Sequence, residues 1–340
     1  SRWNEPCVPV YTTGTSIDTG GQPRESLRTV YGRIDQDIDR AIELLEKARE
    51  TTLAENNKSH INLYVALGIK SRACLAEGDW DGAFKAAKRV IDEGGYAVGT
   101  KSDLTGGMNS LDKQNVMWGA GIQVADQAGG YAGFFTHMDN KEGAYAKSAP
   151  KLISKQLYNR ISATDIRRDW WDPSDKESPY VSKKFSFANV ASFLGDYIYM
   201  RVEEMYFTAA EAALRLDDLK SARELMNTVM AERDPGYSAN NRSGTLLGAT
   251  TTTWTGSFLE NILTHRRIEL WGEYGRLFDV RRLGQGIDRR TDDGFSEECI
   301  SMMNRRNVNI TKADTYDWVL TIPKAELDAN PNINEEDQNP

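Results

Sequence analysis

Apolar residues recur every three or four positions in the first part of the chain, with charged residues between them. Between residues 26 and 50 they include Ile34, Ile38 and Ile42, and the same period returns between residues 60 and 77. This spacing places the apolar side chains on one face of an α-helix. The pattern therefore predicts two helices, the first of which is a surface helix with one buried stripe.

The second predicted helix leads into a short turn. Gly78, Asp79 and Trp80 are followed by Ala83 and Ala87. Glycine permits a tight turn, the aromatic ring fills the space between two helices, and alanine lets them approach closely. A related pattern returns at residues 209–232, far beyond the period of about 34 residues of tandem tetratricopeptide repeats. We therefore predict a mainly α fold, in which tetratricopeptide-like helix pairs of an α-α superhelix are interrupted by an insertion.

A further helix is expected to begin after Ser257. Glu260 follows three positions later, which is a capping-box spacing that lets each side chain accept a hydrogen bond from the other residue's backbone N–H. Ile262 and Ile268 continue the helical period. This helix is predicted to end by Gly275, because glycine commonly follows a helix C-terminus.

The segment between the helix pairs has a different character. Val116, Trp118, Ala120, Ile122 and Val124 alternate with other residues, which is the period of a half-buried strand. The glycine-rich and aromatic stretch at 126–146 is too long for a simple connector. We predict one domain over 1–340, with a helical scaffold at about 26–95 and 198–283, a loop-rich insertion containing short strands at about 96–197, and an irregular C-terminal segment at 284–340.

Composition narrows the possible functions. The 340 residues include 42 Lys and Arg against 50 Asp and Glu, which gives a net charge of −8. Nucleic-acid binding needs a basic face, so no nucleic-acid partner is expected. The three cysteines lack a C-x-x-C spacing, and the three histidines lack a ligand spacing, so no metal site is expected. Nucleotide-binding motifs are also missing from the sequence, and no cofactor is predicted.

Opposite charges alternate late in the chain at a spacing of three or four residues. Arg266 precedes Glu269 by three positions and Glu273 by seven, that is, by one and two helical turns, and Arg276 precedes Asp279 by three. This spacing is typical of ion pairs on helices or between segments, so we interpret the cluster as structural and not as an active site. No pair of acids stands out as the catalytic pair that glycoside hydrolysis needs. No catalytic residue is therefore assigned, and the protein is not expected to be an enzyme.

The aromatic stretch is the best candidate for a binding site. Sugars present apolar C–H faces that stack on aromatic rings, and hydroxyl groups that pair with polar side chains. The stretch supplies both kinds of group, and a tryptophan lies in a later Thr-rich segment. An alternative is that the rings only hold a long loop against the helices. The predicted ligand-binding residues are Tyr131, Phe134, Phe135, His137, Asp139, Asn140 and Trp254.

Several short motifs follow one another over nearly the whole chain. They include Val8-Pro9-Val10-Tyr11, Arg72-Ala73-Cys74-Leu75, Asn115-Val116-Met117-Trp118, Arg201-Val202-Glu203-Glu204-Met205-Tyr206, His265-Arg266-Arg267-Ile268-Glu269-Leu270 and Thr321-Ile322-Pro323-Lys324-Ala325-Glu326-Leu327. Their order resembles that of the SusD/RagB family, the SusD-like nutrient-binding lipoproteins of Bacteroidota. Glu203 stands where the family usually has alanine, and His265 stands where it usually has glutamate.

The resemblance implies a binding protein without catalysis. It implies capture of an oligosaccharide or polysaccharide on the cell-surface face of the outer membrane, and delivery to a SusC-like TonB-dependent transporter. A lipid anchor outside this chain is expected, and the family's N-terminal region is expected to be absent from it. RagB-like peptide binding for uptake, a surface glycoside hydrolase, and a scaffold that holds only its transporter are the alternatives.

Overall fold

The structure is a computed structural model that describes residues 2–16, 18–51, 57–126, 132–241, 256–287 and 319–339. Helices predominate in it, which confirms the predicted fold class. The α-helices are α1 (Leu27–Thr51), α2 (Leu63–Glu77), α3 (Trp80–Glu93), α4 (Lys101–Thr105), α5 (Phe134–Met138), α6 (Ala144–Ser148), α7 (Lys155–Tyr158), α8 (Val202–Arg215), α9 (Leu219–Ala231), α10 (Phe258–Glu269), α11 (Arg276–Arg282) and α12 (Lys324–Ala329). The strands are β1 (Val116–Ala120), β2 (Trp171–Asp172), β3 (Val181–Ser182) and β4 (Tyr197–Arg201), and short 3-10 helices lie at Arg2–Asn4, Val124–Asp126, Ile166–Trp170 and Glu335–Asp337.

The turn between α2 and α3 has the predicted form. Gly78 adopts a left-handed backbone with φ of +82°, and its N–H donates to the carbonyl of Cys74. This conformation favours glycine because it has no Cβ. The Asp79 carboxylate accepts a hydrogen bond from the Gly82 N–H at 3.0 Å and so caps α3.

The two helix pairs pack against each other although a long segment separates them in the sequence. Helix α3 contacts both α2 and α8, while α9 and α10 contact α8. Ala83 and Ala87 of α3, like Ala209 and Ala213 of α8, are almost completely buried, because small side chains allow close helix approach. We refer to α1–α3 and α8–α10 together as the helical scaffold.

A two-stranded antiparallel sheet joins the start and the end of the segment between the helix pairs. Strand β1 pairs with β4, with Val116 opposite Arg201 and Ala120 opposite Tyr197. The register shifts at Trp118, and the strand is shorter than the predicted alternation. Met117 is fully buried while Trp118 is only half-buried. The strand is therefore covered on both faces, and Trp118 lies on its more open side.

The segment 96–197, which we call the insertion, has its own apolar cluster. Strands β2 and β3 pair within it, with Trp171 opposite Ser182. Trp170, Trp171 and Phe185 are almost completely buried, and Ile268 of α10 joins the same cluster. The insertion therefore packs onto the C-terminal end of α10.

The start of α10 shows the Ser257 half of the predicted capping box, while the Glu260 carboxylate bonds the residue before Ser257. The Ser257 hydroxyl accepts a hydrogen bond from the Glu260 N–H at 3.1 Å. The Glu260 carboxylate accepts from the Gly256 N–H at 2.5 Å. Both side chains thus bond backbone N–H groups at the helix start, which stabilises it.

The longest helix in the described part of the chain is α1, with 25 residues. It carries exposed ion pairs along its length, such as Arg33 with Asp37 at 2.8 Å and Arg40 with Glu43 at 2.6 Å. Among the described parts of the chain, no helix combines the length and the apolar character that crossing a membrane requires.

Candidate ligand-binding site

A pocket of about 540 Å³ lies where the β1–β4 sheet meets the turn after α10. This volume is within the range of about 300–1,000 Å³ that is usual for small-molecule sites. Among the described residues, six aromatic side chains line it, and we call it the aromatic pocket. They are Trp118, Phe134, Phe185, Tyr197, Tyr199 and Tyr274.

The sheet supplies one wall of the aromatic pocket. The ring of Trp118 meets that of Tyr199 edge to face, with 5.1 Å between centroids. Tyr199 is 40% exposed. Because β1 and β4 are hydrogen-bonded neighbours, their pairing holds two rings from distant parts of the chain in contact.

The insertion supplies a second wall. Phe134 contacts Phe185 edge to face at 5.1 Å and lies 6.0 Å from the ring of Tyr197. The backbone N–H of Phe134 also donates to the Tyr197 hydroxyl at 3.3 Å. Helix α5 therefore begins against the sheet, and its first side chain lines the pocket.

The turn between α10 and α11 supplies the third wall. Gly272 has a left-handed backbone with φ of +75°, and a Cβ there would lie 2.6 Å from a ring carbon of Phe185. Only glycine fits this position without displacing its neighbours. The two residues that follow, Glu273 and Tyr274, line the pocket.

The charged groups at the pocket are paired within the protein. Arg72 donates two hydrogen bonds to the Glu204 carboxylate, at 2.8 and 2.6 Å, and another to the Tyr199 carbonyl. Burial alone lowers the pKa of Arg72, but Glu204 outweighs burial and the pKa is raised. Glu273 accepts from Arg201 at 2.8 Å and from Lys184 at 2.5 Å. The pocket wall therefore carries no uncompensated charge from these residues.

Behind the pocket lies a buried ionic cluster centred on Glu269. Its carboxylate accepts from Arg201 and Arg233 at 3.0 Å each on one oxygen, and from Arg233 and Arg167 at 2.9 and 3.1 Å on the other. Burial raises its pKa, but these guanidinium groups hold the pKa well below its usual value. The cluster, which we call the Glu269 network, consists of Asp165, Arg167, Lys184, Arg201, Glu203, Arg233, Glu269 and Glu273.

A second series of ion pairs runs away from the pocket. Arg266 bonds Asp279 at 3.0 Å, Asp279 bonds Arg282 at 2.8 Å, and Arg282 bonds Glu211 at 2.6 and 2.7 Å. The structural interpretation of this charged segment fits these contacts. The proposed pairing of Arg266 with Glu269 or Glu273 is wrong, because both glutamates point into the Glu269 network.

The family model for SusD/RagB, described as the SusD family, matches residues 137–340. The chain belongs to the SusD family. This match confirms the resemblance that the ordered motifs indicate. Among curated proteins, no sequence matches the chain.

Solved structures extend the likeness to the N-terminal part of the chain. A SusD-like carbohydrate binding protein from Bacteroides vulgatus is 25% identical, with a TM-score of 0.74 over 98% of this chain and 71% of its own. A SusD superfamily protein from Bacteroides thetaiotaomicron is 22% identical, with a TM-score of 0.76 over 99% and 72%. The surface glycan-binding protein A from Bacteroides uniformis is 16% identical, with a TM-score of 0.62 over 99% and 74%.

The structure places the predicted ligand-binding residues of this SusD-family chain in different surroundings. Phe134 lines the aromatic pocket, whereas Phe135 is only 2% exposed. His137 is exposed and stacks on Tyr145, with 4.6 Å between centroids. Tyr131 and Trp254 lie outside the described residues.

Asp139 and Asn140, which are also predicted to bind ligand, form hydrogen bonds with backbone groups of the insertion. Asp139 accepts from the N–H groups of Lys141, Glu142 and Phe187 at 3.0 Å each. Asn140 accepts from the Lys151 N–H at 2.8 Å and donates to the carbonyl of residue 182 at 2.8 Å. These bonds fix the turn after α5, and a ligand would have to replace them or use the remaining acceptor capacity.

Most of the rings that line the pocket are not among the ligand-binding residues predicted from this SusD-family sequence. Trp118 was predicted to lie on a strand but not to contact a ligand. The alternation of Tyr197 and Tyr199 across one intervening residue was available as an indication of a strand with an aromatic face. The sequence carries no comparable indication for Tyr274, because only the tertiary fold brings its turn beside the sheet. Within the described ranges, no group of three or more His, Cys, Asp and Glu side chains could hold a metal ion.

Proposed function

We propose that this protein binds a neutral oligosaccharide, with sugar rings stacked on the side chains of the aromatic pocket. The observation that carries this proposal is the combination of six aromatic side chains with charged groups that are already paired. Aromatic faces suit the C–H faces of sugars. Recognition of an anionic glycan would instead favour an unpaired cation at the wall.

Relatives support a carbohydrate ligand. The similar Bacteroides vulgatus structure is described as a carbohydrate binding protein, and that from Bacteroides uniformis as a surface glycan-binding protein. Both descriptions concern those proteins. Together with membership of the SusD family, they favour a glycan over a peptide for the aromatic pocket.

Binding without turnover is the proposed activity. Among the described residues, the carboxylate that lines the pocket is Glu273. Burial raises its pKa, but Arg201 and Lys184 outweigh burial and lower the pKa. A glycosidase needs a carboxyl group that stays protonated to donate to the leaving oxygen. Glu273 is a poor candidate for that role.

Membership of the SusD family supports a proposed partner and location. We propose that the protein lies on the outer face of the outer membrane, held there by a lipid anchor. There it would pass the bound glycan to a SusC-like TonB-dependent transporter. Co-purification with such a transporter from outer membranes tests this part of the proposal.

Calorimetric titration tests the ligand. Neutral malto-, cello-, manno- and xylo-oligosaccharides should be compared with oligogalacturonides and with mixed peptides. We expect binding within the neutral set. Trp118→Ala and Tyr199→Ala should each weaken it by about tenfold, since loss of one stacked ring is worth about 1.4 kcal/mol.

A matched control is Tyr11→Ala. Tyr11 is 47% exposed and does not line the pocket, so its loss should leave affinity unchanged. Binding of peptides without any glycan would overturn the proposal in favour of peptide uptake. Release of reducing sugar during the titration would show an enzyme instead.

A further inference from the structure

Helix α11 carries an exposed aromatic ring directly beside the aromatic pocket. Phe278 is 53% exposed, and its ring stacks on that of Tyr274 with 5.0 Å between centroids and 23° between planes. Tyr274 itself lines the pocket. Phe278 does not itself line the pocket, so its ring lies one ring beyond the pocket lining.

Tyr274 has partners on both faces of its ring. The guanidinium carbon of Arg72 lies 3.7 Å from the ring centroid. A guanidinium group and a phenyl ring this close cannot share one face, so Arg72 and Phe278 lie on opposite faces of Tyr274. These three side chains form a stack, which we call the Arg72–Phe278 stack, and the outer face of Phe278 is its solvent-facing end.

The base of the stack is held firmly. The two hydrogen bonds from Arg72 to Glu204 fix the guanidinium plane, and cation–π attraction adds to the contact with Tyr274. Phe278 in turn rests on Tyr274. Its ring is consequently held in one orientation before any ligand arrives, which reduces the entropy that binding must overcome.

We propose that the outer face of Phe278 is a second sugar-binding subsite, one ring beyond the Tyr274 wall of the aromatic pocket. A chain with one end in the pocket would stack a later sugar unit on Phe278. The site would then prefer longer neutral glycans to short ones. This inference rests on the proposed function and adds to it the length of ligand that the site selects.

A glycan fits this surface better than a protein partner does. Helix α11 has seven residues and exposes two large apolar side chains, Leu277 and Phe278. A stable protein interface needs about 800 Å² from each partner, whereas one aromatic side chain buries about 150–250 Å². A single oriented ring beside an aromatic pocket is instead the size of one sugar unit.

Affinity measured over a ladder of chain lengths tests the subsite. For the neutral oligosaccharide series that binds best in the panel above, affinity should be measured from disaccharide to octasaccharide. The unaltered protein should bind the longer members about tenfold more tightly than the disaccharide. Phe278→Ala should remove this gain and leave disaccharide affinity unchanged, while Phe278→Trp should preserve the gain.

Leu277→Ala is the matched control, because Leu277 is 57% exposed on the same helix but is not part of the stack. It should retain the whole length dependence. If Phe278→Ala weakens all lengths equally, Phe278 only positions Tyr274 and the subsite is disproved while the pocket stands. If Phe278→Ala changes no affinity, the subsite is likewise disproved. If no glycan binds at all, the proposed function and the subsite fall together.

Discussion

The helical scaffold and the insertion are held together in different ways. In the scaffold, small and aliphatic side chains such as Ala87, Ala213 and Val229 are buried at helical spacing. In the insertion, aromatic side chains such as Trp171 and Phe185 are buried in irregular chain. The scaffold therefore depends on a repeated local pattern, whereas the insertion depends on individual long-range contacts.

Aspartates of the two regions differ in how far along the chain their hydrogen bonds reach. Asp79 caps the helix of its own turn, as does Asp218 at the start of α9. In the insertion, Asp139 bonds the N–H of Phe187, far along the chain. These two helix caps serve their immediate neighbours, while Asp139 bonds its neighbours Lys141 and Glu142 and also joins a separate segment. The two regions meet at the Glu269 network and at the aromatic pocket.

The largest effect is expected where the two regions meet. Glu269→Gln leaves Arg167, Arg201 and Arg233 buried with one fewer negative charge, and should lower the free energy of unfolding by about 3–5 kcal/mol. Denaturant titration measures this. Glu224→Gln is the control, because the Glu224 side chain is 66% exposed, and its loss should change stability by less than about 0.5 kcal/mol. Equal stability of the two variants would show that the network does not join the regions.

A smaller effect confined to the insertion is expected for Asp139→Ala. Three backbone N–H groups lose their acceptor, which should cost about 1–3 kcal/mol. Amide hydrogen exchange should lose protection around residues 134–149.

The alkylation rate of Cys74 distinguishes local opening of the insertion from global unfolding in the Asp139→Ala variant. It is buried in the scaffold, and burial together with nearby Asp79 raises the pKa of its thiol to about 12. Its alkylation by iodoacetamide, followed by peptide mass spectrometry, should therefore stay slow in Asp139→Ala. Fast alkylation of Cys74 would show that insertion and scaffold open together.

Gly272→Ala should disturb the pocket wall. The left-handed backbone at this position and the contact of a new Cβ with Phe185 should together lower the free energy of unfolding by about 1–2 kcal/mol. The same changes should weaken glycan binding. Gly95→Ala is the control, since Gly95 has φ of +71° with nothing near a new Cβ. Both variants should lose stability, as a thermal melt would show. Only Gly272→Ala should lose affinity, and an equal loss in both would contradict this view of the turn.

The smallest effect is a dependence of scaffold stability on pH. Burial, with Asp35 and Asp79 nearby, raises the pKa of Glu77 from its usual 4.5 to about 7. The folded protein therefore binds this proton more tightly than the unfolded chain does. The stability that this provides is complete below pH 4.5 and is lost by about pH 7.

Glu77→Gln should remove that part of the pH dependence. Urea titrations at several pH values would show a smaller fall in stability between these limits than in the unaltered protein. Because Glu77 is only half-buried, we expect a modest difference. Identical pH profiles of the two proteins would contradict the raised pKa.

The scaffold was largely predictable because its information is local. The predicted first helix, residues 26–50, differs by one residue at each end from Leu27–Thr51. Helix α2 begins three residues later than expected, because the Asn62 side chain accepts from the Val65 N–H at 3.0 Å and caps it there.

The pocket was only partly predictable because its walls come from separate segments. The aromatic and polar residues around Phe134 in the sequence predict it as a ligand-binding residue, and it does line the pocket. Trp118, Tyr199 and Tyr274 reach it through strand pairing and through the turn at Gly272. The spacing of residues along the chain cannot reveal such tertiary contacts. For the same reason, the predicted ion-pair partner of Arg266 was wrong.

The contact between α3 and α8 has a consequence for how the chain folds. About a hundred residues lie between the two helices, so their docking closes a long loop before it yields any contact. Compared with the few residues that link neighbouring tandem repeats, this closure costs about 3 kcal/mol more in chain entropy. A tandem array can extend from one repeat to the next as each forms. Here the second helix pair must find the first across the insertion, so we expect slow folding of the kind associated with high contact order.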